Sequence, residues 1–452
     1  MTSVALTAVA IGLPWSAAVL LALIRSPLRA IAFASALVSM IAIALMLWTS
    51  PSSQSLQEGL MLLYACVACG ATLVLPRRDC TARTLSGILW LLGSTLLAYS
   101  TDHLGVLVVA WISSAIPFLF DQWLGAHNWR PRLALLVSTA VLATAIVLIV
   151  HERHTLSIET LSRQRPGGMA VFALLVAAVV FRKGICPVHA WVGDAAEGGS
   201  VIPTALLLNG HFGAMLVVRL IVPLFPDTAR TMFPVLSYLA LATALYVAIR
   251  AVAENSPRRL IAYLALSQSA CILAGLESRS AAGVTGALVH WCVVTISTVG
   301  LFAILRLLEV RFGDNLTSSA HLGLARHAPR LAVHFIVLGL ALVGLPGTLS
   351  FCSQDLLIHG TLISHPLIGL LLPAATAINA ITIFRLFTRL FLGKRKTGFT
   401  IMADALPRER WMLSACVVFV VAGGVFPSAI VTRWAVQTES IEQTVAGGLM
   451  TR

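Results

Sequence analysis

Arg182 and Lys183 close an apolar run that begins near Met169, and Pro187, His189, Asp194 and Glu197 follow before apolar residues resume near Val201. Ionisable side chains beside a proline break, flanked by hydrophobic segments, are the groups and the placement with which membrane transporters handle ions. A charge at bilayer depth costs about 3 kcal/mol even on the mildest scale, so such residues carry a functional reading by default. Arginine keeps its proton at physiological pH, which leaves Arg182 to hold a carboxylate or a helix end along the path, with Asp194 or Glu197 as its partner. Lys183 joins a proton relay if its side chain points inward, or snorkels to the surface if it does not. His189, His211 and His290 are the further relay residues, since histidine titrates near neutral pH; their alternative is hydrogen-bonded packing. Asp102 either caps the fifth helix or joins the path. Asp355 has the same two readings at a second break, Gly344-Leu-Pro-Gly-Thr-Leu-Ser-Phe-Cys-Ser-Gln-Asp355, and Gln268 is placed for an interhelical hydrogen bond.

The elements that must position these groups are membrane helices. Hydrophobic residues make up 58% of the 452 and charged residues 11%, with a mean hydropathy of +0.91; soluble chains carry about 25% charged residues. At roughly 20 apolar residues per span, the length leaves room for about fourteen helices. The expected architecture is an all-α polytopic membrane protein of about 14 transmembrane helices. It contains two inverted five-helix repeats, each with a broken helix, and no long lateral helix. Residues 1–83 form an N-terminal three-helix segment, 84–223 the first repeat with its break near 182–200, 231–396 the second with its break near 344–355, and 397–452 a C-terminal helix and short tail. The first apolar segment, near 4–24, lacks a basic leader and reads as a span.

The net charge of +13 invites a nucleic-acid reading, but its distribution excludes one. Basic residues cluster in alternate loops: Arg25 and Arg29, Arg77, Arg78 and Arg83, Arg130 and Arg132, Arg250, Arg258 and Arg259, Arg306 and Arg311, then Lys394, Arg395 and Lys396. That is the positive-inside pattern of a bacterial inner-membrane protein with its N-terminus outside. Arg153, Arg163 and Arg165 in the 152–166 loop break the alternation. Cys66 and Cys69 have a CxxC spacing inside an apolar helix without a second pair, which reads as packing rather than metal or redox chemistry. No nucleotide loop, flavin fingerprint, iron–sulfur set or hydrolytic triad is present, so no cofactor is expected in this chain and any redox chemistry belongs to a partner.

Pro187-Val-His-Ala-Trp191 with Asp194, the segment Arg258-Arg-Leu-Ile-Ala-Tyr-Leu-Ala-Leu-Ser-Gln268, and Leu345-Pro-Gly to Asp355 followed by Arg385 and Gly393-Lys394 together resemble the proton-translocating antiporter-like family. That family comprises the large membrane subunits of respiratory complex I, of membrane-bound hydrogenases, of Mrp-type sodium/proton antiporters and of DAB-type inorganic-carbon transporters. The resemblance implies a line of charged and polar groups at the membrane midplane, starting with a fifth-helix glutamate paired to a lysine at the first break. This chain departs from that pattern: the glutamate position holds Ile112 and the break-lysine position holds Arg182, with Lys183 adjacent. With His290 on the family's first histidine, Val294 and Thr298 occupy the next two relay positions. The family's Lys-Asp-Glu at the second break becomes Gln354-Asp355-Leu356.

The expected function is a membrane subunit that couples proton or cation movement to a soluble partner's chemistry. The missing glutamate and Pro187-Val-His189 favour a DAB-like inorganic-carbon uptake system with a zinc-containing partner. The alternatives are a divergent pumping subunit attached to a redox arm, with other membrane subunits alongside, and an anchor that has lost transport.

Overall fold

The computed structural model describes residues 2–447 apart from 50–55, 121–122, 124–127, 165–167, 279, 314–315, 317–320 and 394–403. Lys394, Arg395, Lys396 and Arg165 therefore lie outside the described residues. The described chain is helical: α1 (Thr2–Ile24), α2 (Arg29–Thr49), α3 (Leu56–Val74), α4 (Ala82–Ser100), α5 (Leu104–Phe120) and α6 (Trp129–Arg153) run in succession. A short α7 (Ile158–Gln164) precedes α8 (Met169–Lys183) and α9 (Ala190–Gly198), the two arms of the first break. Next come α10 (Val201–Asn209), α11 (Phe212–Leu216), a π turn over Val217–Ile221 and α12 (Val222–Leu224). The second half holds α13 (Pro226–Ala253), α14 (Pro257–Leu276), α15 (Ala281–Phe312), α16 (Pro329–Leu342), α17 (Leu349–Ser364), α18 (Pro366–Phe391), α19 (Pro407–Val425) and α20 (Ser428–Gly447).

Local signals account for the ends that matter. Ser256 accepts from the Arg259 N–H with Pro257 in the first turn of α14, and Ser280 accepts from the Gly283 N–H at the start of α15. Each satisfies a donor that the helix itself leaves open. Burial grades across the bundle. The apolar stretch of α15 is buried throughout and that of α14 nearly so, whereas α1 and α6 leave most of theirs outward, with Val4, Leu23 and Val147 exposed. A helix apolar on every side is stable only inside a large core or in lipid; α14 and α15 take the first option and the peripheral helices the second.

The protein is an all-α, multi-pass membrane protein, but the expectation of about fourteen transmembrane helices is overturned. Nine described stretches are long and apolar enough to cross a membrane, counting α10 to α12 (Val201–Leu224) as one, and ten if α19 and the start of α20, bent by 79°, count as one span. α5, α8 and α16 hold 17, 15 and 14 residues, short of the roughly 20 that hydrocarbon thickness demands, and α4, with 19, is long enough but not apolar enough. The C-terminal helix expected near 411–434 is instead split by the bend after Val425.

At the end carrying the basic loops, ion pairs join the connections. Arg306 donates to both Asp79 oxygens at 2.6 and 2.8 Å and to Glu309 at 2.8 Å, while Arg258 grips Glu309 at 2.6 and 2.7 Å. Glu309 is only 5% exposed, and bidentate arginine geometry is what makes such burial tolerable. Replacing Arg306 with Ala strands Asp79 and half of Glu309's pairing. The expected loss is about 3 kcal/mol, read as a lowered melting temperature of the detergent-purified protein; an unchanged melting temperature would show that the network adds nothing.

Candidate functional site

The first break owes its form to Gly184, whose φ of +70° ends α8. A Cβ there would stand 2.5 Å from Val192, so only glycine lets the chain turn away at this point. The indole N–H of Trp191 donates to the Phe181 carbonyl at 3.1 Å and satisfies an acceptor of the interrupted turn. Arg182 and Lys183 are both buried, and being consecutive in a helix they point about 100° apart.

Arg182 turns toward α5. Its guanidinium donates to the Ser114 hydroxyl at 2.5 Å and lies over the rings of Phe212 and Trp111, 4.8 and 5.3 Å from their centroids. Ring faces and a hydroxyl thus take the place of a carboxylate. The expected partners are elsewhere: Asp194 pairs with Arg259 at 3.0 Å and Arg130 at 3.2 Å, and Glu197 accepts from Ser256. Ile112, at the family's glutamate position, is 37% exposed on the outer side of α5.

Lys183 turns inward. Its Nζ lies 2.7 Å from His211 Nδ1 and donates to the Ser269 hydroxyl of α14. His211 occupies the break between α10 and α11 with φ +43°, a left-handed conformation costing a side-chain-bearing residue roughly 1 kcal/mol. Gly213 clears the route, because a Cβ there would meet Lys183 Cγ at 2.5 Å. The contact between Lys183 and His211 requires one facing nitrogen to be unprotonated, so the two bases hold a single proton on the line between them. A cavity of about 20 Å³ lined by Lys183, Asn209, His211 and Ser269 adjoins the pair, enough for one water.

α14 and α15 carry the polar line onward. At the Thr298 position the hydroxyl donates to Asn209 Oδ1 at 2.8 Å, tying α15 to the α10 break. His290 Nε2 lies 2.9 Å from Gln268 Oε1, and its Nδ1 lies 3.1 Å from Ser353 Oγ on α17. The Ser353 hydroxyl also reaches the Ser350 carbonyl at 2.9 Å. By rotating its single hydrogen, Ser353 either donates to a neutral imidazole or accepts from a protonated one, so the site suits both states of His290.

Three sequence-predicted residues stand apart from this line. Asp355 is exposed and pairs with His359 one turn on, at 3.4 Å. Asp102 accepts from Ser157 at 3.0 Å at the bundle's edge. His189 is half-buried against Tyr246 and 3.4 Å from Cys186 Sγ. Ser114, Asn209, Ser269 and Ser353 were missed. Asn209-Gly-His211 interrupts a run of leucines and carried a readable signal, whereas the serines are common in helix contacts and carried none. At the basic end a cavity of about 620 Å³, lined among others by Asp79, Glu197, Ser200, Arg258, Arg306 and Glu309, opens at the start of α10. Among the described residues no group of three or more His, Cys, Asp or Glu is placed to hold a metal, and all eight cysteines are free thiols.

Broken helices, a buried lysine at the first break and histidines on the neighbouring helices are the marks of this multi-pass membrane protein. Residues 132–379, more than half of the chain, match the family described as NADH:quinone oxidoreductase/Mrp antiporter, TM, and the chain belongs to that family. It is 27% identical over 266 residues to NADH-quinone oxidoreductase subunit M of Mycobacterium tuberculosis, covering 58% of this chain and 47% of that protein. It is 29% identical over 252 residues to NADH-quinone oxidoreductase subunit N of Geobacillus kaustophilus, covering 52% and 50%. The chain thus spans about half the length of the curated relatives it matches. In fold it is similar to a chain of respiratory complex I from Thermus thermophilus, with a TM-score of 0.86, 22% identity and coverage of 97% and 99%. A chain of the Mrp complex from Dietzia is similar at TM-score 0.85, 18% identity and the same coverage.

Lys183 is the residue whose burial no structural need explains, and replacing a buried charge by an apolar group of similar shape is often neutral or stabilising. Lys183→Met is expected to melt at or above the wild-type temperature. His211→Ala, which leaves the lysine buried without its acceptor, is expected to lose about 3 kcal/mol. A Lys183→Met protein that melts lower than His211→Ala would make the lysine a structural group.

Proposed function

We propose that this protein is a proton- or cation-translocating membrane subunit of a multi-subunit complex in a bacterial inner membrane, assembled with other membrane subunits and driven by, or driving, a partner. The observation that carries the reading is the buried pair Lys183–His211 beside the first helix break, inside the segment matched by the family. Lys183, His211 and Ser269 form the first station, and Gln268, His290 and Ser353 the second. Asn209 and Thr298 bridge the helices between them, and Arg182 supplies a fixed positive charge that biases the first. The basic loops are assigned to the cytoplasmic side, and the large polar cavity among them is the mouth on that side.

The inorganic-carbon reading favoured on sequence gives way to its alternative. The similar proteins named above are oxidoreductase subunits and Mrp chains, and none is described as a carbon transporter. Oxidoreductase and antiporter complexes are separated by what is bound. The native complex, purified in mild detergent, is expected to contain several membrane subunits, and flavin with iron–sulfur clusters would specify the redox form. Lys183→Met is expected to assemble normally and to abolish translocation in proteoliposomes. A complex whose only partner is a soluble zinc protein would return the reading to carbon uptake, and full translocation by Lys183→Met would remove Lys183 from the path.

A further inference from the structure

Three acidic side chains are buried among the described residues: Glu277, Glu309 and Glu409. Glu309 is gripped by Arg258 and Arg306 and Glu409 by Arg311. Glu277 has no such cation among the described residues. It is fully buried in the turn between α14 and α15, outside both apolar stretches, at the end of the bundle opposite the basic loops. Its Oε2 accepts from the Ser237 hydroxyl of α13 at 2.9 Å, and its Oε1 has no partner among the described residues. It also sits at the carbonyl end of α14, its own N–H bonded to the Leu273 carbonyl at 3.0 Å, where the helix dipole opposes negative charge.

Glu277 does not stand on the His290 side of α14. Gln268 is nine residues back, half a turn round the helix, whereas Glu277 meets Ser237 of α13, and α13 also packs on α18. The α13–α14–α18 seam carries a second polar group without explanation. Asn379 of α18 donates to the Ser267 hydroxyl at 2.8 Å, and Ser267 donates to the Ala244 carbonyl of α13 at 2.9 Å. Asn379 Oδ1, fully buried, has no partner. Ser237 and Ala244 lie on the same face of α13, about 10 Å apart along its axis. Two buried acceptors without a partner among the described residues thus belong to side chains that bond serines of α13 and α14.

We propose that Glu277 is a proton-binding site at the end of the α13–α14–α18 seam opposite the basic loops, where the translocated proton is exchanged with water. In the releasing step the carboxyl O–H bond breaks, water takes the proton, and the carboxylate keeps the Ser237 hydrogen bond. A proton arriving along the Asn379–Ser267 side restores the acid. The use of the site in transport rests on the function proposed above; its ability to hold a proton does not.

Burial pushes the Glu277 carboxyl well above the usual carboxylate range, and the Ser237 hydroxyl pulls it partly back. The titratable groups on the surrounding elements are Asp227, Arg230 and Tyr238 on α13, Asp355 and His359 on α17, and His365 before α18; none of them acts on it. Arg279 lies outside the described residues. A carboxyl whose proton is held more tightly folded than unfolded contributes stability at low pH that is lost as pH rises from the ordinary carboxylate range to the folded value. Wild type is therefore expected to lose heat stability over that range by more than Glu277→Gln does.

The test uses the native complex, with a hydrophobic carbodiimide, which modifies protonated carboxyls in apolar surroundings, and peptide mass spectrometry. Glu277 is expected to be modified at neutral pH and progressively less at alkaline pH, with Arg279→Gln unchanged. Glu277→Gln, which keeps an acceptor for Ser237, is expected to assemble but to translocate protons at the background rate. No modification at neutral pH would mean an ionised, paired carboxylate and overturn the proposal. Unaltered translocation and pH profile in Glu277→Gln would make it a buried structural acid, and protection by sodium but not potassium at fixed pH would make it a sodium site. If the wild-type complex moves no protons, the function proposed above fails, while the pH dependence of labelling still decides whether Glu277 holds a proton.

Discussion

Inside hydrocarbon every backbone N–H and C=O must find its partner within the protein, so a helix can break only where other helices supply what the break exposes. This chain breaks helices at Gly184, at Gly210–His211 and around Gly344–Gly347, and the architecture follows from burying those places. Trp191 answers the Phe181 carbonyl at the first break. At the second, the Tyr99 hydroxyl of α4 answers the Gly210 carbonyl at 2.6 Å. α14 and α15, the most buried helices, run through the middle and present Ser269, Gln268, His290 and Thr298 to the breaks on either side. The polar line is thus a consequence of where the backbone was allowed to open.

Charge is sorted along the same axis. At the basic end arginines meet carboxylates in bidentate or shared pairs, and that geometry offsets the cost of burying Glu309 and Glu409. In the middle of the bundle Arg182 and Lys183 meet none. A guanidinium spreads its charge over ring faces and a hydroxyl, which suits arginine's weak hydration. An ammonium is more strongly hydrated, and here it is given a histidine nitrogen and a serine instead of a counter-ion. A carboxylate beside Lys183 would hold the proton on the lysine; a second base lets it sit on either side. With Ile112 at the family's glutamate position, Lys183 has His211 as its partner in place of a carboxylate.

Histidine in place of a carboxylate also changes what backbone is needed. The His211 ring reaches Lys183 from a left-handed position that would ordinarily be glycine's, between Gly210 and Gly213. The two glycines remove Cβ atoms where the lysine stem and the turning chain need room. Strain of this kind persists only where the surroundings over-determine it, and such places are commonly functional.

The family was legible in motifs such as Pro187–Trp191 and Arg258–Gln268, while hydropathy and charge spacing pointed to the all-α membrane class, to the break regions, and to Lys183, His211, His290 and Gln268 as residues to watch. These follow from one-dimensional quantities: apolar run length, proline and glycine punctuation, and the cost of an ionisable group inside an apolar run. The number of spans did not follow, because short arms such as α8 and α16 look like the start of a full span until the chain is seen to turn. Only the tertiary structure decided which way adjacent residues face: Arg182 toward Ser114 and Trp111, Lys183 toward His211, Asp355 outward and Glu277 inward. A helix turns about 100° per residue, so an uncertainty of one residue in register exchanges a buried station for a lipid-facing side chain. Only the packed neighbours remove that ambiguity.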